Sequence, residues 1–532
     1  MSEKSAYKSN SPDPEQAEPQ VPYSRWAALF GGSNVTIGPR IAGLPDYVKN
    51  EVSDSEDSSS AILNKQIAAE DGSAIQYRTC SWQKTAGLLF SEYICLAIMS
   101  FPWSYSVLGL VPGLILTVVV AGTVLYTSLV LWKFCLRHPE VRDVCDLGQT
   151  LFWGKEWAWW GTAVMFILNN TFIQALHVLV GAKYLNTMTE ADDVGHCRTV
   201  MFSVVVTIIC WIGSLPRTFD MMSKLGTASA IFTFISVLLA AVFAGVQGKP
   251  SLYDPSTLGE PIVTAFPVKG TTFVNGMSAF LNISYTFIGQ ITLPSFIAEM
   301  RDPRDFPKSL WACTIAEVFV FSIVGAVVYA YSGNQYVTAP AFGSLDLVYK
   351  KAAFSFMIPT IIFLGTLYAS VTARFVFFRV FRNTKHVNSH TVVGWGSWAG
   401  ILLATWIFAF IIAQVIPFFN SRKFLQLDVS QYQYLTADNL FVVLSVMSSL
   451  FDSWFGFIFW GVAFFRMRTA DKQAGRRHSA VTDWLGIVTN VFLILVGIMF
   501  LTVGTYASVQ GIIDQFEAGA VGGVFSCASN GI

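Results

Sequence analysis

Charge is what this 532-residue chain has least of. Asp, Glu, Lys and Arg together make up 13% of it, about half of what soluble domains carry. The 34 basic and 34 acidic side chains cancel, so there is no basic excess with which to bind nucleic acid. Paired cysteine spacing is lacking too. The eight cysteines, at 80, 95, 135, 145, 197, 210, 313 and 527, form no Cys-x-x-Cys pair, and no metal site follows from them. Neither His-Glu-x-x-His nor Gly-x-Ser-x-Gly occurs, so nothing supports an enzyme, and no cofactor is expected.

What the chain has instead is apolar length. It is 53% hydrophobic and 15% aromatic, with a mean hydropathy of +0.52. A membrane helix needs about 20 mostly apolar residues. Eleven segments qualify, at 85–109, 114–134, 158–185, 199–215, 225–246, 272–298, 309–332, 352–373, 391–417, 439–465 and 485–508. The fifth, sixth and ninth contain no charged residue, and Val111-Pro112-Gly113 reads as a tight turn between the first two. The expected class is therefore an all-α membrane protein of eleven transmembrane helices, with the lipid bilayer as its solvent. Residues 1–84 differ in carrying 8 basic and 11 acidic side chains, among them the acidic serine run Ser53 to Ser60. Such a segment cannot bury enough apolar surface to fold. The division expected is a disordered tail over 1–80, a membrane domain over 81–510 and a short tail over 511–532, with the serine run as a phosphorylation target.

Orientation follows from where Lys and Arg fall. Counting the span-end Lys133 and Lys183, loops after even-numbered segments hold 18 and those after odd-numbered segments hold 8. This predicts a cytosolic N-terminus and, after eleven crossings, a C-terminus outside. Residues 509–532 hold neither Lys nor Arg, in agreement. The sequons at Asn34, Asn169 and Asn282 then lie in the cytosolic tail or inside spans, where glycosylation is not expected. Cys197 and Cys527 both fall outside, where a disulfide between them would persist.

Two spans do not read as continuous helices. The first is interrupted at Pro102, which predicts a break near Ser100–Trp103. The sixth runs through the polar stretch Asn282 to Gln290 before Pro294, which predicts a break near Ser284–Gly289. Either alone would be explained by a proline kink. Together they lie five spans apart, and an odd number gives two five-helix units opposite topology. That is the 5+5 inverted repeat, with substrate held where the broken helices meet and an extra helix 11 appended. Half-helix N-termini suit a carboxylate and half-helix C-termini an ammonium group. The breaks carry no Asp, Glu, Lys or Arg, which fits a neutral amino acid. Candidate substrate-binding residues are Ile98, Met99, Ser100 and Phe101 in the first break, and Asn282, Tyr285, Thr286 and Gly289 in the second. For the apolar ones, packing alone would account equally well.

At these residues the chain resembles a known family. Ile98 to Gly109 followed by Pro112-Gly113 is similar to the first-helix motif of the amino acid/auxin permease family. Leu215-Pro216-Arg217-Thr218 and the run Glu299 to Leu310 resemble its fungal neutral amino acid permeases of the methyltryptophan-resistance type. The likeness covers about 80–510. It implies a leucine-transporter-like fold and proton-driven uptake of neutral aliphatic and aromatic amino acids. Where family members often carry Gly-x-Gly before the first break, this chain has Cys95-Leu96-Ala97. A histidine matching His177 occurs in the fungal relatives, which adds it to the substrate-site candidates; a hydrogen-bonded core histidine is the plainer reading.

A charge at the bilayer centre costs at least ~2.5–3.5 kcal/mol, so each ionisable group there needs a reason. Glu317, Glu92 and Asp452 are, in that order, the candidates for proton coupling, against a buried structural role. Lys183 and Arg374 sit near span ends and are expected to snorkel, and Glu299 reads as part of a charged loop. Ser370 and Thr372 are the alternative, a sodium site implied by leucine-transporter-like folds; back-bonding to their own helix would also explain them. The expected function is a proton-coupled symporter of neutral amino acids in the plasma membrane. An amino-acid sensor of the same fold and a vacuolar amino acid exporter are the alternatives.

Overall fold

Backbone N–H and C=O groups within a bilayer have no water to bond, so uncharged spans must satisfy them internally. In the computed structural model the described residues are accordingly mostly helical, with no strand among them beyond one isolated bridge. The structure describes residues 25–32, 34–41, 78–94, 96–141, 143–189, 198–251, 253–382, 384–415, 439–476, 479–517 and 525. A short α1 (Arg25–Phe30) precedes the bundle. The first span is α2 (Trp82–Tyr93), a 3-10 turn (Leu96–Ser100) and α3 (Phe101–Leu108). Then follow α4 (Leu110–Arg137), α5 (Val144–Leu151), α6 (Glu156–Thr189), α7 (Arg198–Gly213) and α8 (Phe219–Gln247). The sixth span is α9 (Phe273–Phe287) and α10 (Leu293–Glu299). After it come α11 (Phe306–Tyr336), α12 (Leu347–Ser355), α13 (Ile358–Val380) and α14 (Val392–Val415). The tenth span is α15 (Asn439–Met447), a π-helical stretch (Ser448–Ile458) and α16 (Phe459–Gln473). Last come α17 (Ala480–Met499), a second π-helical stretch (Phe500–Gly504) and α18 (Thr505–Glu517).

Nine helices among the described residues are long and apolar enough to cross a membrane. Two of the eleven expected segments fall outside that set. The fourth is only the 16 residues of α7, and the sixth is divided. Side chains such as Ile115, Val118, Val119, Phe319 and Phe408 stay exposed on outer faces, as a lipid-facing surface requires.

Both breaks occur, displaced from the expected positions. The first opens at Ile94, about two turns before Pro102; the second spans Ile288–Thr292, so Ser284 to Phe287 are still helical. In each case the proline stands in the first turn of the second half-helix, where its missing N–H removes no bond. The turn between the first two spans is likewise moved. It is made by Gly109 (φ +81°), and Pro112 falls inside the first turn of α4. A side chain at Gly109 would strike the backbone of Ala265 and Phe266. The short helices α5 and α12 went unforeseen; α5 starts at Asp143, whose carboxylate accepts from the N–H groups of Cys145 and Asp146.

The end of the bundle where the first span begins and the sixth ends is tied electrostatically. Cys80 and Met300 form a parallel bridge, with Arg301 N–H donating to Cys80 O at 2.8 Å. Arg374 does not snorkel. It pairs with Glu299, and both are buried. Arg379 holds Asp143 and Asp146 at 2.9 and 2.6 Å, and Arg137 holds Asp471 at 2.9 Å. The cysteines at 135, 145, 210 and 313 are buried thiols outside any disulfide, and Cys80 is buried as well. The expected Cys197–Cys527 bridge, like Cys95, lies outside the described residues.

Part of the presumed tail is packed here, a departure from the expectation of disorder over all of 1–80. Phe30 of α1 stacks on Trp311 at 5.4 Å, and Trp311 donates to Leu29 O. Val35, Ile37 and the buried Ile41 reach the core. Arg40 binds Glu140 at 2.5 Å, while Arg137 and Arg476 donate to the carbonyls of Pro39 and Ile37. The apolar spacing Val35, Ile37, Ile41 was the sequence signal for this strap. His138 fastens its end. The Ile41 N–H donates to Nε2 at 3.1 Å, and Nδ1 lies 2.9 Å from Glu140. Both contacts are satisfied by a neutral ring protonated at Nδ1. Burial holds this imidazole below its usual value; Glu140 pulls the other way, and Arg40 and Arg137 add to the depression. The docked state therefore binds fewer protons than the undocked one, so docking is fully present above the ordinary histidine range and lost as pH falls through it. Hydrogen exchange at residues 35–41 is expected to quicken between pH 7.5 and 5.5, after correction for intrinsic rates, by about tenfold per unit of depression. His138→Gln is expected to flatten that dependence.

Candidate functional site

The site is built from the last turn of α2 and the chain that follows α9. α2 ends because Ile94 leaves helical geometry (φ −82°, ψ 78°), and α9 ends at Ile288 in the same way (φ −98°, ψ 104°). Each ending strands backbone groups and points the preceding side chains across the gap. Glu92 reaches the second break. Its two carboxylate oxygens lie 2.8 and 3.0 Å from the Thr292 hydroxyl, and Tyr368 of α13 donates to it at 2.7 Å. Tyr93 lies over Gly289 so closely that a β-carbon there would sit 2.7 Å from its phenol oxygen and 2.8 and 2.9 Å from ring carbons. Glycine at 289 is thus set by contact, not by backbone conformation.

These groups border one cavity of about 890 Å³, mouth included. From the sequence-derived candidates, Glu92, His177, Tyr285, Thr286, Gly289 and Asp452 stand in its wall. His177 has Nδ1 2.8 Å from the Ile173 carbonyl, the ordinary bond of a helix histidine. Ile98, Met99, Ser100, Phe101 and Asn282 do not line it. Phe101 packs against Phe321 and Phe287 at 5.0 and 6.3 Å, and Ser100 donates to Ala97 O. The displacement of the first break explains this: Tyr93 and Ala97, not 98–101, are the wall residues from that span. Asn282 is fully buried within α9, with both amide atoms unpartnered among the described residues.

Glu317 stands behind the wall, with Cys313 Sγ at 3.4 Å and Glu92 and Tyr93 as its charged or polar neighbours. Ser370 and Thr372 do not face a common point. They are two residues apart on α13, and helix positions so spaced lie on different faces. Thr372 accepts from Asn170 at 2.9 Å and donates to the Tyr368 carbonyl. Gln290, the end of the polar stretch read as the second break, also lines the cavity, whereas sequence reasoning missed Tyr368, Tyr93, Asn169 and Thr360, and the aliphatic wall of Leu176, Val180, Ile361, Leu364 and Leu444. None of these breaks its local pattern, so no signal in their own segments marks them. Among the described residues no Lys or Arg lines the cavity.

Residues 78–426 match the family described as "Transmembrane amino acid transporter protein". The chain belongs to that family. It is thus an integral membrane transporter. Over 468 residues the transporter is 29% identical to the N amino acid transport system protein of Neurospora crassa, covering 88% of this chain and 92% of that one. It is 28% identical over 473 residues to a transmembrane transporter of Gibberella moniliformis, covering 88% and 91%. Among solved structures it is similar to a Na+-coupled sialic acid symporter, with a TM-score of 0.47 and 10% identity over 86% of this chain and 97% of that chain.

The tight meeting of Tyr93 and Gly289 gives a direct test of the site. Gly289→Ala is expected to reduce uptake at least ~10-fold, because overpacking of this kind costs about 1–3 kcal/mol. Surface abundance should stay near wild type, and Tyr93→Phe should not rescue the variant, since ring carbons as well as the hydroxyl are in the way. Uptake per molecule is the measurement.

Proposed function

We propose that this transporter carries a neutral amino acid across the membrane together with a proton. The observation that supports this best is Glu92: an acid in the cavity wall, joined to the second break through Thr292 and to α13 through Tyr368, with no basic partner among the described residues. A membrane-buried carboxyl without a cation is best accommodated when it carries a proton, and shedding that proton changes its demand on both hydroxyls. Proton loading is thereby coupled to the contact that joins the breaks. Glu317, which packs behind, serves as the second acid of the path. Glu92 comes first in this reading because substrate and solvent in the cavity reach it directly.

The cavity wall supports the substrate class. Leu176, Val180, Ile361, Leu364 and Leu444 give an aliphatic chamber, while two carboxylates and no cation disfavour acidic side chains. The curated Neurospora protein of similar length is named for amino acid transport, which supports the same reading. The Lys and Arg distribution supports a cytosolic strap end and an outward-facing α18, and the plasma membrane is the location proposed.

The test is uptake of the twenty amino acids into transport-deficient cells with and without a protonophore. Leucine, phenylalanine or tryptophan is expected to accumulate uphill, faster as external pH falls, and to stop accumulating when the proton gradient is collapsed. Glu92→Gln should abolish accumulation and flatten the pH dependence while exchange survives. Sodium-dependent uptake at constant pH would defeat proton coupling, and preference for glutamate or arginine would defeat the substrate class.

A further inference from the structure

The tenth span carries an acid that the coupling path above leaves unused. Asp452 lies in the π-helical stretch Ser448–Ile458, is 5% exposed and stands in the cavity wall. Among the described residues its Oδ2 has no hydrogen-bond partner. Nor does any Lys or Arg among the described residues line the cavity to neutralise it. Glu92 shares the lack of a cation but differs in its hydrogen bonding, since Thr292 and Tyr368 already bind its oxygens. Asp452 thus presents an open acceptor where Glu92 presents an occupied one.

The π-helical stretch is also fixed against the substrate-facing backbone. A β-carbon at Gly456 would lie 2.9 Å from Ile288 Cδ1, so this stretch is pressed onto the second break four residues from Asp452. Widened helical turns of this type recur at functional sites because they re-aim side chains that a regular helix would point elsewhere. A buried carboxylate requires a cation or dense hydrogen bonding. The one cationic group every zwitterionic amino acid brings to this cavity is its ammonium, with three N–H donors.

We infer that Asp452 is the specificity-determining counter-ion for the α-ammonium group of the transported amino acid, resting on the neutral amino acid reading above. Charge-assisted N–H···O bonds of this kind are about twice as strong as neutral ones. Repulsion from Asp452 turns the substrate carboxylate toward the non-helical backbone at 288–292. The apolar side chain then lies along Leu176, Val180, Ile361, Leu364 and Leu444. Recognition of the amine is thus separated from proton coupling, which stays with Glu92.

The experiment uses the full chain in proteoliposomes with L-leucine as substrate. Competitors are isopentylamine, which lacks the carboxylate, and 4-methylpentanoate, which lacks the ammonium. Isopentylamine is expected to compete with leucine in the wild type and 4-methylpentanoate is not. In Asp452→Asn the leucine KM should rise at least ~10-fold with maximal rate within about threefold, and isopentylamine should cease to compete. Asp452→Glu should recover part of the affinity. If Asp452→Asn keeps its KM and its competitor pattern but loses proton-driven accumulation, Asp452 is a proton site and the inference is overturned while the symport reading stands. If the variant does not fold, competition by 4-methylpentanoate but not isopentylamine in the wild type overturns it instead. Wild-type protein that takes up lysine and excludes leucine would bring down the functional reading itself, and this assignment with it.

Discussion

Everything that distinguishes this bundle from a plain stack of apolar helices depends on two interrupted helices touching at their interruptions. Glu92 and Tyr93 close the first half of one helix, and Gly289 and Thr292 lie in the gap of the other. The contact is polar at Thr292 and steric at Gly289. It cannot be replaced by general hydrophobic attraction, because lipid tails are as apolar as the helix surfaces and offer no preference for this packing. Hydrogen bonds and close fit therefore carry the specificity. Tyr368 extends the contact to α13, so three spans meet at one carboxyl group.

Scarcity of charge gives each remaining charge a readable meaning. Basic groups at the strap end have acids beside them: Arg374 has Glu299, Arg379 has Asp143 and Asp146, Arg137 has Asp471, and Arg40 has Glu140. Breaking a buried pair such as Arg374–Glu299 leaves an uncompensated charge and costs about 3–5 kcal/mol, while the part-exposed pairs of Arg379 and Arg40 hold less strongly. The acids of mid-membrane are different. Glu92, Glu317 and Asp452 are buried with no basic partner among the described residues. Structural charges come as pairs, whereas these three come as acids alone, and all lie in or directly behind the cavity.

Much of the helical frame was legible in the sequence, because spans of about 20 apolar residues admit few other structures in a bilayer. The existence of two breaks was legible for the same reason, since prolines and polar runs inside spans are costly and need a cause. Their positions were not. Pro102 and Pro294 were read as the points of rupture, yet each opens the half-helix that follows. A proline needs no N–H in the first turn and brings a helical φ with it, so the rupture falls about two turns earlier, where Ile94 and Ile288 carry no mark. That shift moved the predicted wall from 98–101 to Tyr93 and Ala97. Of the acids, only position along the span was legible. Which one faces the cavity depends on rotation within a bundle, and helices buried on nearly all sides show little periodicity to reveal it. The strap was missed because its apolar residues are few and flanked by a strongly polar tail.

The two ends of the bundle are closed by different physics. At the strap end the ties are mainly ion pairs, the Cys80–Met300 bridge and His138. At the other end the chain between α8 and α9 does the work with backbone bonds. Leu110 and Val111 donate to the carbonyls of Thr264 and Ala265, Asn334 donates to Ile262 O, and Tyr329 receives the Thr264 N–H. Ion pairs respond to pH and to partners that carry charge, whereas a backbone ladder responds to neither. A transporter that exposes its cavity to alternate sides must loosen each end in turn, and only differential interaction with a ligand can bias such an equilibrium. Glu92 is placed to supply that bias. Its hydrogen bonds to Thr292 and Tyr368 join the half of the first span that issues from the strap end to the sixth and eighth spans. A change in its charge therefore acts on the electrostatically tied end through α2, one rigid helix of 12 residues.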